Sequence, residues 1–257
     1  MELNLTNKNL IIAGSSKGIG KGISNILLNE GANVVLTGRN EKDLINTYDQ
    51  FKSCYDQNIY YFNGDLTLKS DLSNLKKTIK EKWKIKIDGI IANIGGVKQV
   101  DDLIINEIDW NWYFVNNFNS TVNLINEFVE EIIETQGSII IISSIAGLEY
   151  IGAPIPYNVS KSALLSYSKS ISWKLGKYGV RVNTISPGNI IFKGGNWDKK
   201  LIKNKDAINE MIKSKVPLGK FGTPEDIGNL AAFLLSERAN FITGGIYVAD
   251  GGQTISF

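Results

Sequence analysis

The chain has 257 residues, enough for one sizeable domain with a large core, and we expect a single domain over residues 1–257. Its formal net charge is +2, from 28 basic and 26 acidic side chains, so overall charge gives no reason to expect nucleic acid or an anionic membrane as partner. The chain contains no histidine, which excludes histidine-dependent catalytic triads and histidine metal sites, and no metal site is expected. Its single cysteine, Cys54, excludes an intrachain disulfide.

Seven short apolar runs predict β-strands, and segments with helical spacing lie between them. Some runs, such as the four isoleucines at 139–142, are apolar at every position, which is typical of strands covered on both faces in a parallel sheet. We therefore predict an α/β fold, a single doubly wound (Rossmann-like) domain with a seven-stranded parallel sheet and helices on both faces. The predicted strands are 9–13, 33–37, 59–62, 89–94, 138–142, 180–185 and 246–249, and the predicted helices cover about 18–29, 41–53, 69–82, 109–134, 157–178 and 224–236.

A glycine-rich turn, residues 13–20, connects the first predicted strand to the first predicted helix. Its spacing is G-x-x-x-G-x-G rather than G-x-G-x-x-G, and a glycine triplet alone would also suit an ordinary strand-to-helix turn. The strand before it and the helix after it favour a dinucleotide site, because backbone N–H groups at a helix start bind phosphate. The predicted contacts are Gly14, Ser16, Lys17, Gly18, Ile19 and Gly20.

The second predicted strand is followed by residues that favour NADP(H) over NAD as cofactor. An NAD-binding fold usually places an acid there to hold the ribose 2′-hydroxyl, and Gly38 stands in that position. Arg39, together with Lys17 from the first turn, can instead surround a 2′-phosphate, for which a guanidinium is well suited.

Tyr157 and Lys161 form a pair that can perform proton chemistry in a chain without histidine. Four residues apart on a predicted helix, they share one face, so that the ammonium can lie beside the phenol. Lowering a tyrosine pKa from about 10 to about 7 requires about 4 kcal/mol, which one charge at about 4 Å supplies at an effective dielectric of about 20. Ser144, which follows the fifth predicted strand, adds a neutral hydroxyl donor.

The predicted helix at 157–178 carries more apolar surface than one contact with the sheet would use. A subunit interface and a deeply buried helix in a monomer both explain this surface, and the residues alone leave the two open.

Together these motifs, in this order, resemble the short-chain dehydrogenase/reductase family over essentially the whole chain, and most closely its 3-oxoacyl-acyl-carrier-protein reductase subgroup. The resemblance implies that Asn117 completes the catalytic group, because it follows Trp110 by seven places, and it is preferred to Asn116 for this reason. It also implies roles at the cofactor: Asp65 and Leu66 at the adenine, Asn93 and Gly95 at the adenosine ribose, Tyr157 and Lys161 at the nicotinamide ribose, and Pro187, Gly188 and Ile190 at the nicotinamide.

The implied reaction is an NADP(H)-dependent interconversion of a ketone and a secondary alcohol. Tyr157 would be the acid/base, Ser144 would bind the carbonyl oxygen, and Asn117 would connect Lys161 to water. The first alternative is a 3-oxoacyl-acyl-carrier-protein reductase of fatty acid synthesis, and a more remote one is a non-catalytic NADP-binding regulator.

Some features depart from the family pattern or limit the substrate. Ile94 and Phe192 stand where the family usually has alanine and threonine. Segment 189–217 resembles the family's substrate lid, and its seven lysines against three acids give a local charge of +4, which suits an anionic substrate but also ordinary exposed lysines. Where related enzymes use arginines to dock an acidic carrier, this chain has Thr135 and Tyr178 beside four glutamates, so a free carbonyl or alcohol substrate is slightly preferred.

The remaining expectations concern assembly and location. The resemblance implies a homotetramer, with one interface formed by 109–134 and 157–178 and another by 246–257. A polar start and the lack of a long apolar run make a cytoplasmic location the default expectation. The expected partner is a small-molecule carbonyl or alcohol substrate.

Overall fold

The computed structural model describes residues 2–98 and 103–255. Its sheet has seven parallel strands in the order β3-β2-β1-β4-β5-β6-β7, which confirms the predicted fold. All seven strands lie where they were predicted, with small differences at their ends. They are β1 (Asn9–Ile12), β2 (Asn33–Gly38), β3 (Ile59–Asn63), β4 (Gly89–Ala92), β5 (Ser138–Ile142), β6 (Arg181–Pro187) and β7 (Ile246–Ala249).

The helices differ from the prediction in three regions: the predicted helices 69–82 and 109–134 each include a π-helical segment, and residues 196–215 contain two helices that were not predicted. The single helix predicted over 109–134 is divided by a π-helical segment, Val115–Asn119, which separates α4 (Glu107–Phe114) from α5 (Ser120–Thr135). A second π-helical segment, Thr78–Trp83, follows α3. The other helices are α1 (Gly18–Asn29), α2 (Glu41–Lys52), α3 (Lys69–Lys77), α6 (Ile155–Gly176), α7 (Asn196–Lys203), α8 (Lys205–Lys215) and α9 (Pro224–Leu235).

The isoleucine run of β5 shows why the sheet is apolar on both faces. Side chains alternate along a strand, so Ile140 and Ile142 join the core that includes α1 and α9, whereas Ile139 and Ile141 join the core that includes α3, α5 and α6. Two hydrophobic cores, one on each face, therefore hold the sheet in place. Among the described residues, no helix is both long and apolar enough to cross a membrane.

The strand order reverses direction between β1 and β4, which are hydrogen-bonded neighbours although β2 and β3 lie between them in the chain. In open parallel sheets, ligands bind in the crevice that such a reversal leaves beyond the carboxyl ends of the strands. The residues that follow β1, β4 and β5 are therefore the first place to look for a functional site.

Candidate active site

The glycine-rich turn lies at this crevice. Gly14 has a φ of +64°, in the left-handed region, and a β-carbon there would lie 2.6 Å from the carbonyl oxygen of Asn93. The Asn93 side chain donates from Nδ2 to the carbonyl oxygens of Ala13 and Gly14, at 3.3 and 3.2 Å. Gly14 and Asn93, predicted from separate motifs, are therefore in contact.

The first turn of α1 is suited to an anion. Lys17 is its N-cap and makes no capping hydrogen bond through its side chain, and the turn contains no acidic residue. Because the first N–H groups of a helix have no acceptor within it, and the helix dipole is positive there, these donors fit the diphosphate of a dinucleotide. The predicted contacts Ser16, Gly18, Ile19 and Gly20 all lie in or beside this turn.

The predicted 2′-phosphate corner is exposed, and each of its cations is near an acid. Arg39 follows β2 directly, and its Nη1 lies 3.7 Å from Asp65 Oδ2; Lys17 Nζ lies 3.9 Å from Asp43 Oδ2. The two cationic side chains are 65% and 68% exposed, so these ion pairs are weak and can be exchanged for a phosphate. The corner fits the extra phosphate of NADP.

The predicted adenine residues follow β3. Asp65 accepts at Oδ1 from the N–H and hydroxyl of Thr67, at 3.0 and 2.8 Å, which leaves Oδ2 facing Arg39. Leu66 is buried in the core on the α3 side of the sheet. The carboxylate of Asp65 thus links the predicted adenine position to the predicted phosphate corner.

Ser144 and Tyr157 meet beyond the end of β5. Ser144 caps a short 3₁₀ turn, Ile145–Gly147, by accepting from the Ala146 N–H at 3.1 Å, which leaves its O–H free to donate. Burial raises the pKa of Tyr157, and a hydrogen bond with Ser144 opposes that shift. The phenol therefore keeps its proton at neutral pH.

Lys161 lies near the Tyr157 ring and is bonded to the end of β5. Its Nζ donates to the carbonyl oxygen of Ile142 at 3.0 Å and lies 5.9 Å from the centre of the Tyr157 ring. Burial lowers the pKa of Lys161 to about 8, because the charged ammonium has lost water. The predicted lowering of the Tyr157 pKa is thus absent in this structure: burial acts against the charged form of both groups.

Asn117 lies within the π-helical segment and is fully buried. Its Nδ2 donates to the carbonyl oxygens of Tyr113 and Gly96, both at 3.1 Å, and its Oδ1 accepts from Gly96 N–H at 3.0 Å. A β-carbon on Gly95 would lie 2.7 Å from Asn117 Oδ1 and 3.4 Å from Lys161 Nζ, so these three residues are adjacent. Single π turns within helices are frequent at functional sites, and this one places Asn117 beside the lysine.

The predicted nicotinamide residues follow β6, the neighbour of β5. Pro187 is the last residue of that strand, and Gly188 N–H donates to the carbonyl oxygen of Ala249 at 3.0 Å. Ile190 is buried and forms a parallel bridge with Gly222. The turn is therefore tied to β7 and to the segment before α9, at the same edge of the sheet as Ser144.

Comparison with known proteins matches this arrangement to one family. A short-chain dehydrogenase family model described as Enoyl-(Acyl carrier protein) reductase matches residues 13–254. The chain is 33% identical to a 3-oxoacyl-[acyl-carrier-protein] reductase of Rickettsia felis over 98% of both chains, and 28% identical to that of Aquifex aeolicus over 98% of this chain and all of the relative. The chain belongs to the short-chain dehydrogenase/reductase family.

Solved structures of this family superpose closely on the fold. An L-sorbose reductase from Gluconobacter frateurii, complexed with NADPH and L-sorbose, has a TM-score of 0.94 at 26% identity over the full length of both chains. A 7α-hydroxysteroid dehydrogenase complexed with NADH and 7-oxoglycochenodeoxycholic acid has a TM-score of 0.89 at 27% identity, over 98% of this chain and 96% of that one. Family, fold and enzyme class are as predicted: the chain is an oxidoreductase that acts on CH–OH and C=O groups.

Two residues that differ from the usual pattern of the short-chain dehydrogenase/reductase family, Phe192 and Ile94, have structural consequences. Phe192 lies between Gly18 and Gly195, and β-carbons on those glycines would come within 2.7 and 2.9 Å of its Cζ. The ring therefore bridges the first turn of α1 and the start of the lid helix α7. Ile94 is partly buried and packs against the core on the α5 side.

Sequence reasoning missed two residues of the site. Asp43, which faces Lys17, lies in the first turn of α2 and donates its N–H to the capping side chain of Asn40 at 2.9 Å. Asparagine three residues before an acid is a recognisable helix start, and this pattern predicts Asp43 in the first turn of α2.

The second missed residue is Tyr113. It is fully buried, and its ring meets that of Tyr157 edge-on, with centroids 6.3 Å apart. Its position four residues before Asn117 was the available signal.

Proposed function

We propose that the whole chain acts as one NADP(H)-dependent oxidoreductase domain that interconverts a ketone and a secondary alcohol, with residues 189–217 as its substrate lid. The observation that carries the proposal is the meeting of Asn117, Ser144, Tyr157 and Lys161 at the carboxyl edge of the sheet, beside an anion-binding turn. NADP(H), the predicted cofactor, is also the one named in the sorbose reductase complex.

Each side chain has a role that its contacts support. In the reductive direction, NADPH held at this site would supply the hydride that the carbonyl carbon accepts. Ser144, which is hydrogen-bonded to Tyr157 in this structure, would donate its O–H to the carbonyl oxygen when substrate binds, and Tyr157 would deliver a proton to the same oxygen. A raised pKa suits this role, because an acid must hold its proton until negative charge develops on the substrate.

Lys161 and Asn117 act behind this pair. In this proposal Lys161 holds the nicotinamide ribose and supplies positive charge below its pKa of about 8. Both N–H donors of the Asn117 amide are engaged, with Tyr113 and Gly96. A proton relay through Asn117 would therefore use an oxygen of that residue, either the second lone pair of Oδ1 or its backbone carbonyl.

The cofactor is proposed to lie across the switch point. Gly14, Ser16, Lys17, Gly18, Ile19 and Gly20 would hold the diphosphate, Arg39 and Lys17 the 2′-phosphate, Asp65, Leu66, Asn93 and Gly95 the adenosine, and Pro187, Gly188 and Ile190 the nicotinamide. Support comes from the open helix start at α1 and from the exposed cations after β2.

A 3-oxoacyl-acyl-carrier-protein reductase is the second candidate, because that activity is in the name of the 33%-identical relative. The acidic surface of α5 disfavours an acidic carrier at that face. Glu130 and Glu134 are exposed, whereas Glu131 is paired with Lys80 at 2.6 Å and with Lys76 at 3.2 Å.

One experiment separates these possibilities and the non-catalytic regulator. NADPH oxidation is followed with free ketones and with acyl-carrier-bound 3-oxoacyl substrates in parallel. Turnover of free ketones supports the proposal, and turnover of carrier-bound substrates alone selects the second candidate. Tight NADPH binding with no turnover of either class would contradict both and leave the regulator.

Assembly and location complete the proposal. A homotetramer is supported by exposed apolar side chains on both predicted faces: Trp173 on α6 is 85% exposed, and the edge strand β7 exposes Ile246 and Val248. The predicted second interface extends to Phe257, and its last residues, 256 and 257, lie outside the described residues. Light scattering tests the assembly, and a mass near that of one chain would overturn it.

A cytoplasmic location is proposed from the sequence and is testable by cell fractionation.

A further inference from the structure

Side chains, rather than a neighbouring strand, bind the backbone of the segment that follows β4. Asn117 bonds both the N–H and the carbonyl of Gly96, at 3.0 and 3.1 Å. Tyr113 does the same two residues further on: its hydroxyl accepts from Lys98 N–H at 3.0 Å and donates to the Lys98 carbonyl at 2.5 Å. Gly96 and Lys98 are thus held by two side chains four residues apart in the chain, Tyr113 at the end of α4 and Asn117 in the π-helical segment that follows it.

The ring of Tyr113 has a second contact, with Tyr157. The two rings meet at 66° with centroids 6.3 Å apart, an edge-to-face arrangement. Tyr113 is fully buried, and burial raises its pKa, so its hydroxyl remains protonated and available to Lys98. One residue therefore contacts both the proposed acid and the segment beside Lys161 and Asn117.

We propose that Tyr113 is a positioning residue for the reaction: its ring fixes the orientation of Tyr157, and its hydroxyl fixes segment 95–98 beside Lys161. The second part rests on Gly95: a β-carbon there would lie 3.4 Å from Lys161 Nζ, and the next residue, Gly96, is held by Asn117. The inference rests on the proposed ketone reductase function. It adds a residue that does not touch the reacting atoms and acts through ones that do.

Two substitutions separate the two contacts. Tyr113→Phe keeps the ring and removes both hydrogen bonds to Lys98. Gly95 of the same segment is proposed to hold the adenosine, so loosening the segment should raise the NADPH dissociation constant about tenfold while kcat stays within about twofold. Tyr113→Leu also removes the ring edge, so kcat should fall about tenfold further. The control is Tyr167→Phe, at a partly buried tyrosine on α6 whose ring contacts Phe118, and this substitution should change neither quantity.

Calorimetric NADPH binding and steady-state rates with a ketone found by screening provide the measurements. The proposal is supported if NADPH binding is weaker in Tyr113→Phe and kcat is lower only in Tyr113→Leu. Equal behaviour of Tyr113→Phe and Tyr167→Phe overturns it, as do losses of binding and kcat that both follow the loss of thermal stability.

The inference can be tested even if the proposed function fails. If the wild-type protein reduces no ketone, NADPH binding by Tyr113→Phe still decides the hydroxyl's role: a tenfold weaker affinity with faster amide exchange at Gly96 and Lys98 supports it, and an unchanged affinity overturns it. If Tyr113→Leu does not fold, Tyr113→Phe decides the proposal by the same criteria.

Discussion

The catalytic group and the 2′-phosphate corner are built in different ways. Lys161 is 5% exposed, donates to a backbone carbonyl of β5 and lies beside Gly95 in the segment after β4. Arg39 and Lys17 are about two-thirds exposed, and each has one weak contact with an acid. Packing therefore determines the positions of the reacting groups, whereas exposed charge determines which dinucleotide is accepted. Substitutions should have large effects in the first region and graded effects in the second.

The first prediction concerns the buried region. Tyr157→Phe removes the proton donor and leaves the ring packed against Tyr113, so turnover should fall about 10³-fold, within the range that general acid catalysis contributes. NADPH oxidation with an active ketone measures the rate. Calorimetry should show that cofactor affinity falls by no more than about tenfold, the loss expected for the one hydrogen bond that Tyr157 would make to the nicotinamide ribose. Tyr167→Phe on the same helix is the matched control. A rate for Tyr157→Phe within tenfold of the control would remove Tyr157 from the acid role.

A second prediction uses the buried ammonium. The pKa of Lys161 is lowered from 10.5 to about 8 in the folded protein, so between pH 8 and 10.5 the unfolded chain carries a proton that the folded chain has released. Stability rises with pH wherever the unfolded state binds more protons, so this residue destabilises the fold below pH 8 and ceases to do so above 10.5. The full difference is about 3 kcal/mol.

Replacement of Lys161 makes that contribution measurable. The stability of Lys161→Met relative to wild type, from urea unfolding, should decline by about 3 kcal/mol as pH rises from 8 to 10.5, because only wild type gains over this range. Lys169→Met, an exposed lysine on the same helix, serves as the control. If the stability difference between Lys161→Met and wild type does not change with pH, burial does not lower the pKa of Lys161 in the folded protein.

The two regions also differ in how far sequence could predict them. The seven strands are predicted correctly because apolar runs are a strong signal. Tyr157, Lys161 and the glycine turn are predicted from residue spacing and Ser144 from its place after a strand, and their roles stay predictions. The division of α4 from α5 was not predicted, because the π turn at Val115–Asn119 depends on tertiary contacts of Asn117 rather than on local propensity. The Tyr157 pKa was predicted in the wrong direction for the same reason: burial is a property of packing, which spacing does not reveal.

The exposed corner gives the third prediction. Arg39→Asp removes the cation proposed to bind the 2′-phosphate and adds an acid suited to a ribose hydroxyl, so the preference for NADPH over NADH should reverse, with a change of tens of fold. Dissociation constants for both cofactors measure it. Lys52→Asp, an exposed position in the last turn of α2, makes the same change in net charge elsewhere. An unchanged ratio in Arg39→Asp would defeat the NADP assignment to this corner.

The smallest expected effect lies where the two regions meet, at Phe192. Its ring contacts Gly18 in the turn that is proposed to hold the diphosphate, and Gly195 at the start of the lid. We expect cofactor binding at that turn to displace the ring, so Phe192→Thr should bind NADP⁺ about threefold to tenfold more tightly, equivalent to about 1 kcal/mol. Phe192→Leu keeps most of the bulk and should stay near wild type. Weaker binding by the threonine variant would mean that the ring supports the cofactor instead of competing with it, and that packing contributes to cofactor binding as well as to catalysis.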